Sequence, residues 1–177
     1  MNQDNTFERV NYFQGQLLTV SDLKAEQEYL LAKHRRHNRY LHGWGVASGL
    51  KVTIANTSEV VVEPGVAIDC AGNEIHVCTQ VQLKVPMKLD EFFVTLQYTE
   101  TETSPIPNPS GSTSEELTYT RIKEGFALDI MATDPASGHR GIGTGTPGCG
   151  CLHSMCIARF KKGRQGWKIE EKGRRRS

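Results

Sequence analysis

The densest chemistry in the chain lies in eight residues, Cys149-Gly-Cys151-Leu-His153-Ser-Met-Cys156. Thiolate sulfur and imidazole nitrogen are the ligands of a tetrahedral zinc or of part of an iron–sulfur centre, and four such groups within eight residues suffice to supply one. The C-x-C-x4-C spacing is not that of a paired knuckle, and no C-x2-C lies elsewhere. Cys70 or Cys78 completes a site only if a sheet brings it near. No glutamate base accompanies the ligands, so a metal held by Cys149, Cys151, His153 and Cys156 is expected to be structural rather than catalytic. The competing reading is buried or incidental thiols. Five cysteines, two in apparent strands and three in or beside a Gly-rich loop, do not make a secreted disulfide framework, so reduced thiols are expected.

Other candidate chemistry is thinner. His34 and His37, spaced i and i+3, flank Arg35 and Arg36 with no carboxylate nearby to orient them, which favours buried or interface hydrogen bonding over metal ligation. His42, next to Gly43, suits a helix C-terminus. Gly-x-Ser-x-Gly, the phosphate loop and His-Glu-x-x-His are absent, Ser48 has no elbow context, and Glu115-Glu116 sits in a polar stretch. No catalytic residue is assigned and no enzyme is expected. Gly43, Gly45 and Gly49 superficially resemble a dinucleotide loop. That loop precedes a helix, whose N-terminus holds the pyrophosphate; here the helix comes first and the spacing is Gly-x-Gly-x-x-x-Gly. The glycines are therefore read as a helix stop at Gly43 and close helix-to-strand packing at Gly45 and Gly49.

The elements around these residues follow from periodicity. Residues 21–42 contain no Pro or Gly, are rich in helix formers and follow Thr19 and Ser21, either of which can cap. Leu23, Leu30, His37 and Leu41 form one stripe that Gln27 and His34 complete, a polar version of an amphipathic face that suits packing partly on a sheet and partly on another subunit. After Gly49 the apolar period falls to two: Leu50, Val52 and Ile54; Val60 and Val62; Val66, Ile68 and Cys70; Ile75 and Val77; Val81, Leu83 and Val85. Turn formers at 56–58, 64–65 and 71–73 separate these runs as in an antiparallel meander. Residues 91–98, 117–122, 125–132, 155–160 and 166–171 read as further strands.

The predicted class is α+β, mainly antiparallel β in a meander or sandwich-like module, with one long helix and an extended N-terminal arm. The expected organisation is a single domain: arm 1–20, helix 21–42, β module 43–160 with exposed loops 99–116 and 133–150, and basic tail 161–177.

The 177 residues suit one core. A hydrophobic share of 37% and a mean hydropathy of −0.45 point to hydrophilic loops or surfaces covered by neighbours. No apolar run reaches the 18 or so residues of a spanning helix, and MNQDNTFERVNYF lacks a basic n-region and an apolar h-region, so cytoplasmic synthesis is expected. The formal charge of +1 is uneven. Residues 161–177 hold eight Lys or Arg and two Glu, a net +6 that leaves −5 for residues 1–160, so the tail could contact an acidic protein surface or an anionic membrane.

Several ordered motifs resemble a family of small proteins encoded with contractile injection systems, the phage-tail-like devices that drive a tube through a membrane. They are Tyr12-Phe13-x-Gly15-Gln16-Leu17-Leu18-Thr19, Glu26-Gln27-x-Tyr29, His37-Asn38-Arg39, His42-Gly43-Trp44-Gly45-Val46 and Pro64-Gly65-x-Ala67-x-Asp69. Thr103-Ser104-Pro105-Ile106-Pro107 and Tyr119-Thr120-Arg121-Ile122-x-Glu124-Gly125 resemble it as well, so the likeness runs from about residue 9 to 160. It implies a non-enzymatic structural subunit at or around a baseplate, with a β part similar to the attachment modules of phage fibre proteins. Its partners would be other subunits of the particle, in symmetric copies, with no small-molecule substrate. The particle itself would be membrane-docked or released.

On this reading Tyr12, Phe13, Gln16, Leu17, Tyr29, His37, His42 and Trp44 are the expected assembly contacts, with Trp44 buried at the helix–β joint or against a neighbour. No cofactor is required. The one group the residues could take is a structural zinc or iron–sulfur centre, and the alternative function is a metal-binding accessory protein built on Cys149 to Cys156.

Overall fold

The long helix begins where the sequence supplies its cap. The computed structural model of the chain describes residues 7–56, 58–86, 89–107, 117–135, 149–150, 152–164 and 166–171. Helix α1 spans Val20–His37. Thr19, in an extended conformation, accepts the Asp22 N–H at 3.2 Å through its side chain, and the Asp22 carboxylate accepts the Thr19 N–H at 2.9 Å. This reciprocal box satisfies donors that the first turn otherwise leaves open, and the Thr19 hydroxyl, donating to the Asp22 carboxylate at 2.6 Å, with the Thr19 N–H after it, holds the Asp22 carboxyl below its ordinary value. The helix continues as a π-helical turn, Asn38–His42, and Gly43 at φ +70° ends it. The expected helix over 21–42 is thus present with a changed pitch in its last turn.

Ten strands follow: β1 Gly45–Gly49, β2 Val52–Asn56, β3 Glu59–Val62, β4 Gly65–Ile68, β5 Glu74–Val77, β6 Val81–Lys84, β7 Glu91–Pro107, β8 Leu117–Met131, β9 Met155–Gly163 and β10 Gly166–Glu171. They form three antiparallel sheets, ordered β1-β4-β5, β2-β3-β6 and β10-β9-β7-β8. The α+β, mainly antiparallel class read from the sequence is the class observed.

The first two sheets share a bent hairpin, whose strands cross from one sheet to the other at Gly49–Leu50 and Pro64–Gly65. Leu50 N–H donates to Pro64 O at 3.1 Å and Glu63 N–H to Lys51 O at 2.9 Å, so pairing survives the bend. The backbones touch there. A Cβ on Gly49 would lie 2.2 Å from Pro64 O, and one on Gly65 would lie 2.3 Å from Leu50 N. Gly49 therefore serves a strand-to-strand corner and not the helix-to-strand packing expected of it. Leu50 pays for its own positive φ of 52° by burying its side chain in the core.

One apolar cluster joins all three sheets: Trp44, Val46, Leu50, Val52, Val60, Val62, Ile75 and Val77 meet Phe92, Val94, Leu96, Met155, Ile157 and Phe160. Phe92 stacks on Phe160 at 4.6 Å, and Trp167 of β10 meets Phe92 edge-on at 5.0 Å.

Three expectations about the periphery change. Residues 99–107, read as the start of an exposed loop, continue β7 and pair with β8 from Thr99↔Gly125 to Pro107↔Leu117. The prolines misled because they usually exclude a strand. Here the β9 partner of β7 ends at Leu96↔Met155, so beyond it one edge of β7 carries no ladder for a proline to break. The two strands expected at 117–122 and 125–132 are the single strand β8, with Gly125 inside it. The strand expected over 155–160 runs on through Lys161 and Lys162 into the basic tail, where the strand expected at 166–171 returns along it as β10.

Residues 108–116, most of the expected loop 133–150, residues 1–6 of the arm and 172–177 of the tail lie outside the described residues. The described part of the arm packs back along α1: Arg36 lies 3.7 Å over the Phe7 ring, and the Tyr12 hydroxyl donates to Glu26 at 2.8 Å.

The corner yields a test. Gly49→Ala is expected to destabilise the protein by about 2 kcal/mol or more, because a left-handed φ and a backbone overlap act together. Gly15→Ala, at φ +88° with open space around the added methyl, is expected to cost only about 1 kcal/mol. Urea unfolding of both variants checks the difference.

Candidate functional site

The link between helix and β body is a five-residue turn, Asp69–Asn73, joining β4 to β5. The turn is closed on itself: the Asp69 carboxylate accepts the Asn73 N–H at 2.8 Å and its side-chain amide at 2.7 Å, and Gly72 N–H donates to Asp69 O at 3.0 Å. The end of α1 rests on it. Asn38, 3% exposed, donates its side-chain amide to Gly72 O at 2.9 Å. A Cβ on Gly72 would lie 2.2 Å from Arg35 O, so only glycine lets the helix backbone come this close. His34 lies 3.5 Å from Glu74, and Arg35 pairs with Glu100 of β7 at 3.1 Å.

Beyond this seat the helix is open. No residue of α1 is buried, and Val20, Leu23, Leu30 and Leu31 are about half exposed or more. Leu17 and Leu18 before it, and Tyr40 and Leu41 after it, extend the apolar surface. Facing the helix is the outer half of the β7–β8 hairpin, a two-stranded ribbon exposed on both sides, where Tyr119 and Ile122 are also exposed. Between them lies a groove of about 910 Å³, lined by Gln27, Leu30, Leu31 and His34 on the helix and by Tyr119 and Ile122 on the ribbon, with Glu100, Glu102 and Glu124 at its side. Glu100 and Glu124 stand directly opposite each other in register, where like charges repel. Arg35 and the Tyr98 hydroxyl, at 2.9 Å, both approach Glu100. Burial first, and then this carboxylate, push the Tyr98 hydroxyl above its ordinary pKa and keep it a donor.

The eight residues expected at the assembly surface divide. Tyr12, Phe13, Leu17, His37 and His42 are exposed, Leu17 at 85%, while Gln16 and Tyr29 are half-buried in the cleft between arm and helix. Trp44 is 2% exposed and belongs to the chain's own core, the first of the two positions expected for it, so it leaves the surface set. His37 and His42 meet through their Nε2 atoms at 3.1 Å. Residues five apart stack in a π-helical turn and not in an α-helix, so the sequence read as an α-helix did not show this pair. Tyr119 and Ile122 lie on the strand expected at 117–122, but their place on this surface was missed because the Pro-rich stretch that pairs with them was read as loop.

The expected metal cluster also divides. Cys149 and His153 come together, with Cys149 Sγ 3.4 Å from His153 Nε2. Cys70, on the Asp69–Asn73 turn, joins them, and the three ligand atoms lie within 4.8 Å of one another. Cys156 is buried in β9, where its thiol reaches Ala158 O at 3.5 Å, and it is not in this group. Cys151 lies outside the described residues. The group contains no carboxylate, so nothing in it acts as a base on a bound water.

No family model matches the sequence, and no curated protein matches it. Solved structures do. A chain of the type VI secretion system TssK-TssF-TssG baseplate subcomplex, seen by cryo-electron microscopy, matches with a TM-score of 0.50 and 10% identity over 93% of this chain. A chain of the type VI secretion baseplate complex matches at 0.48 with 12% identity, and a crystal structure of TssK at 0.48 with 11%, each over 93% of this chain. This chain spans 60%, 58% and 41% of their respective lengths. The first of these is a likeness of fold. Among the described residues no helix is long and apolar enough to cross a membrane.

Seating of the helix is testable through Asn38. Asn38→Ala leaves the Gly72 carbonyl without its buried donor and is expected to cost about 1–3 kcal/mol in denaturant unfolding. Proteolytic cleavage within α1 is expected to quicken in the same variant.

Proposed function

We propose that this protein is a non-enzymatic structural subunit of a contractile injection system, placed at or around the baseplate, and that the face formed by α1, the N-terminal arm and the β7–β8 ribbon is its contact with neighbouring subunits. The observation that carries the reading is a complete helix with no buried residue, facing an equally uncovered ribbon across an open groove of mixed lining, apolar at Leu30, Leu31, Tyr119 and Ile122. A two-stranded ribbon is marginal by itself, and a soluble monomer rarely leaves a large contiguous apolar patch open to water. Both features are accounted for if other subunits cover them. The resemblance of motifs from Tyr12 to Gly125, and the fold shared with a chain from a type VI secretion baseplate subcomplex, support the same reading.

Mechanism here means holding an interface while the particle contracts. Leu23, Leu30, Leu31 and Ile122 supply apolar contact, and Gln27, His34 and the ribbon carboxylates supply polar register. Phe13, Leu17 and Leu18, just ahead of the Thr19 cap, extend the same surface. Charge complementarity at such a rim governs encounter and partner choice more than strength.

The test uses the full chain, affinity-tagged in its native host. Wild type is expected to co-purify with tube, sheath and baseplate proteins of one particle. Leu30→Asp and Ile122→Asp are expected to lose that association while changing the stability of the isolated chain by only about 0.5 kcal/mol, since both sites are exposed. A chain that stays monomeric at high concentration and brings down no particle component contradicts the proposal.

A further inference from the structure

We propose that Cys70, Cys149 and His153 supply three ligands to a zinc ion, which clasps the segment before β9 to the β4–β5 turn on which α1 is seated. The inference does not depend on the proposed function. Its first ground is distance. With Zn–S near 2.3 Å and Zn–N near 2.0–2.1 Å, ligand atoms of a tetrahedral site stand about 3.5–3.8 Å apart. Cys149 Sγ and His153 Nε2 are 3.4 Å apart, and all three ligand atoms fall within 4.8 Å of one another. Little movement is needed to bring them onto one ion.

The second ground is orientation. His153 Nδ1 lies 2.9 Å from Ser154 O, so Nδ1 carries the proton and donates it to the carbonyl. Nε2 then presents its lone pair toward Cys149, the arrangement that fixes a metal-binding imidazole. Gly150 N–H donates to Cys70 O at 3.0 Å, tying the two ligand-bearing segments together through the backbone. Gly150 itself has φ +81°, and an added Cβ would lie 2.9 Å from the Arg39 guanidinium. The segment is thus gripped between the turn and the end of the helix.

Chemistry selects the ion. Two thiolates and an imidazole are soft or borderline donors that suit zinc and disfavour magnesium or calcium. The donor set differs from the one expected from sequence: Cys70 enters it, Cys156 leaves it, and Cys151, outside the described residues, is not counted.

The experiment measures metal in the purified, reduced full-length chain by inductively coupled plasma mass spectrometry, with Co²⁺ substitution as a spectroscopic probe. Wild type is expected to carry about one zinc per chain and, with Co²⁺, to show the visible bands of tetrahedral thiolate coordination. Cys149→Ser and His153→Ala, at exposed and half-buried positions, are expected to lower the metal content on the order of tenfold while keeping the wild-type far-ultraviolet circular dichroism. Cys78→Ser, exposed and outside the group, is expected to retain it. The proposal is overturned if reduced wild type takes up neither Zn²⁺ nor Co²⁺, including the case in which Cys70 and Cys149 are found as a disulfide beforehand. Full metal content in both Cys149→Ser and His153→Ala also overturns it.

Discussion

The structure hangs on one contact: the end of α1 against the Asp69–Asn73 turn. Asn38 reaches Gly72 O, and the missing Cβ of Gly72 lets the Arg35 carbonyl lie against the turn. The contact is small and demanding. A buried amide must find its carbonyl, and any side chain at position 72 would drive the helix away. Asp69 holds the turn in shape from within, while Cys70 on the same turn meets Cys149 and His153. Helix, turn and C-terminal segment therefore share a hub in which each fixes the position of the others.

From that hub the fold divides its labour. The β strands take the apolar core, with Phe92, Phe160 and the bent hairpin at its centre. The helix takes almost none of it, which explains the mixed character of its stripe: Gln27 and His34 would be costly facing a dry core and are acceptable beside a groove edged by Glu100, Glu102 and Glu124. The ribbon is the counterpart of the helix. It is stiffened by its internal β7–β8 ladder and left without a second sheet, so helix and ribbon stand as two walls of one open surface.

Much of this was legible in the sequence, for physical reasons that can be named. The Thr19 cap, the stop at Gly43 and the period-two runs from Leu50 to Val85 are local signals, and local interactions decided them. Trp44, held between two glycines, was readable as a joint residue. What escaped depended on partners distant in sequence or on unusual pitch. The prolines at 105 and 107 read as loop because nothing local reveals that β9 stops short of them. Close packing at the helix, expected of Gly49, belongs to Gly72, which was read only as a turn former, while Gly49 meets Pro64. The pairing of His37 with His42 required a π-helical turn, and the choice of Cys70, named with Cys78 as a conditional ligand, depended on the β4–β5 turn facing residues almost eighty positions away.

The central claim is that α1 is fixed to its own chain near its C-terminal end and is covered elsewhere by neighbouring subunits. Hydrogen–deuterium exchange, compared between the isolated chain and the same chain within the purified particle, tests it most directly. In the isolated chain, protection is expected to be highest around Arg35–His42 and to fall toward Val20, with fast exchange in the outer ribbon. In the particle, residues 20–34 and the ribbon segments 99–107 and 117–125 are expected to become protected together. Uniform protection of α1 in the free chain, or no gain in the particle, would contradict the account.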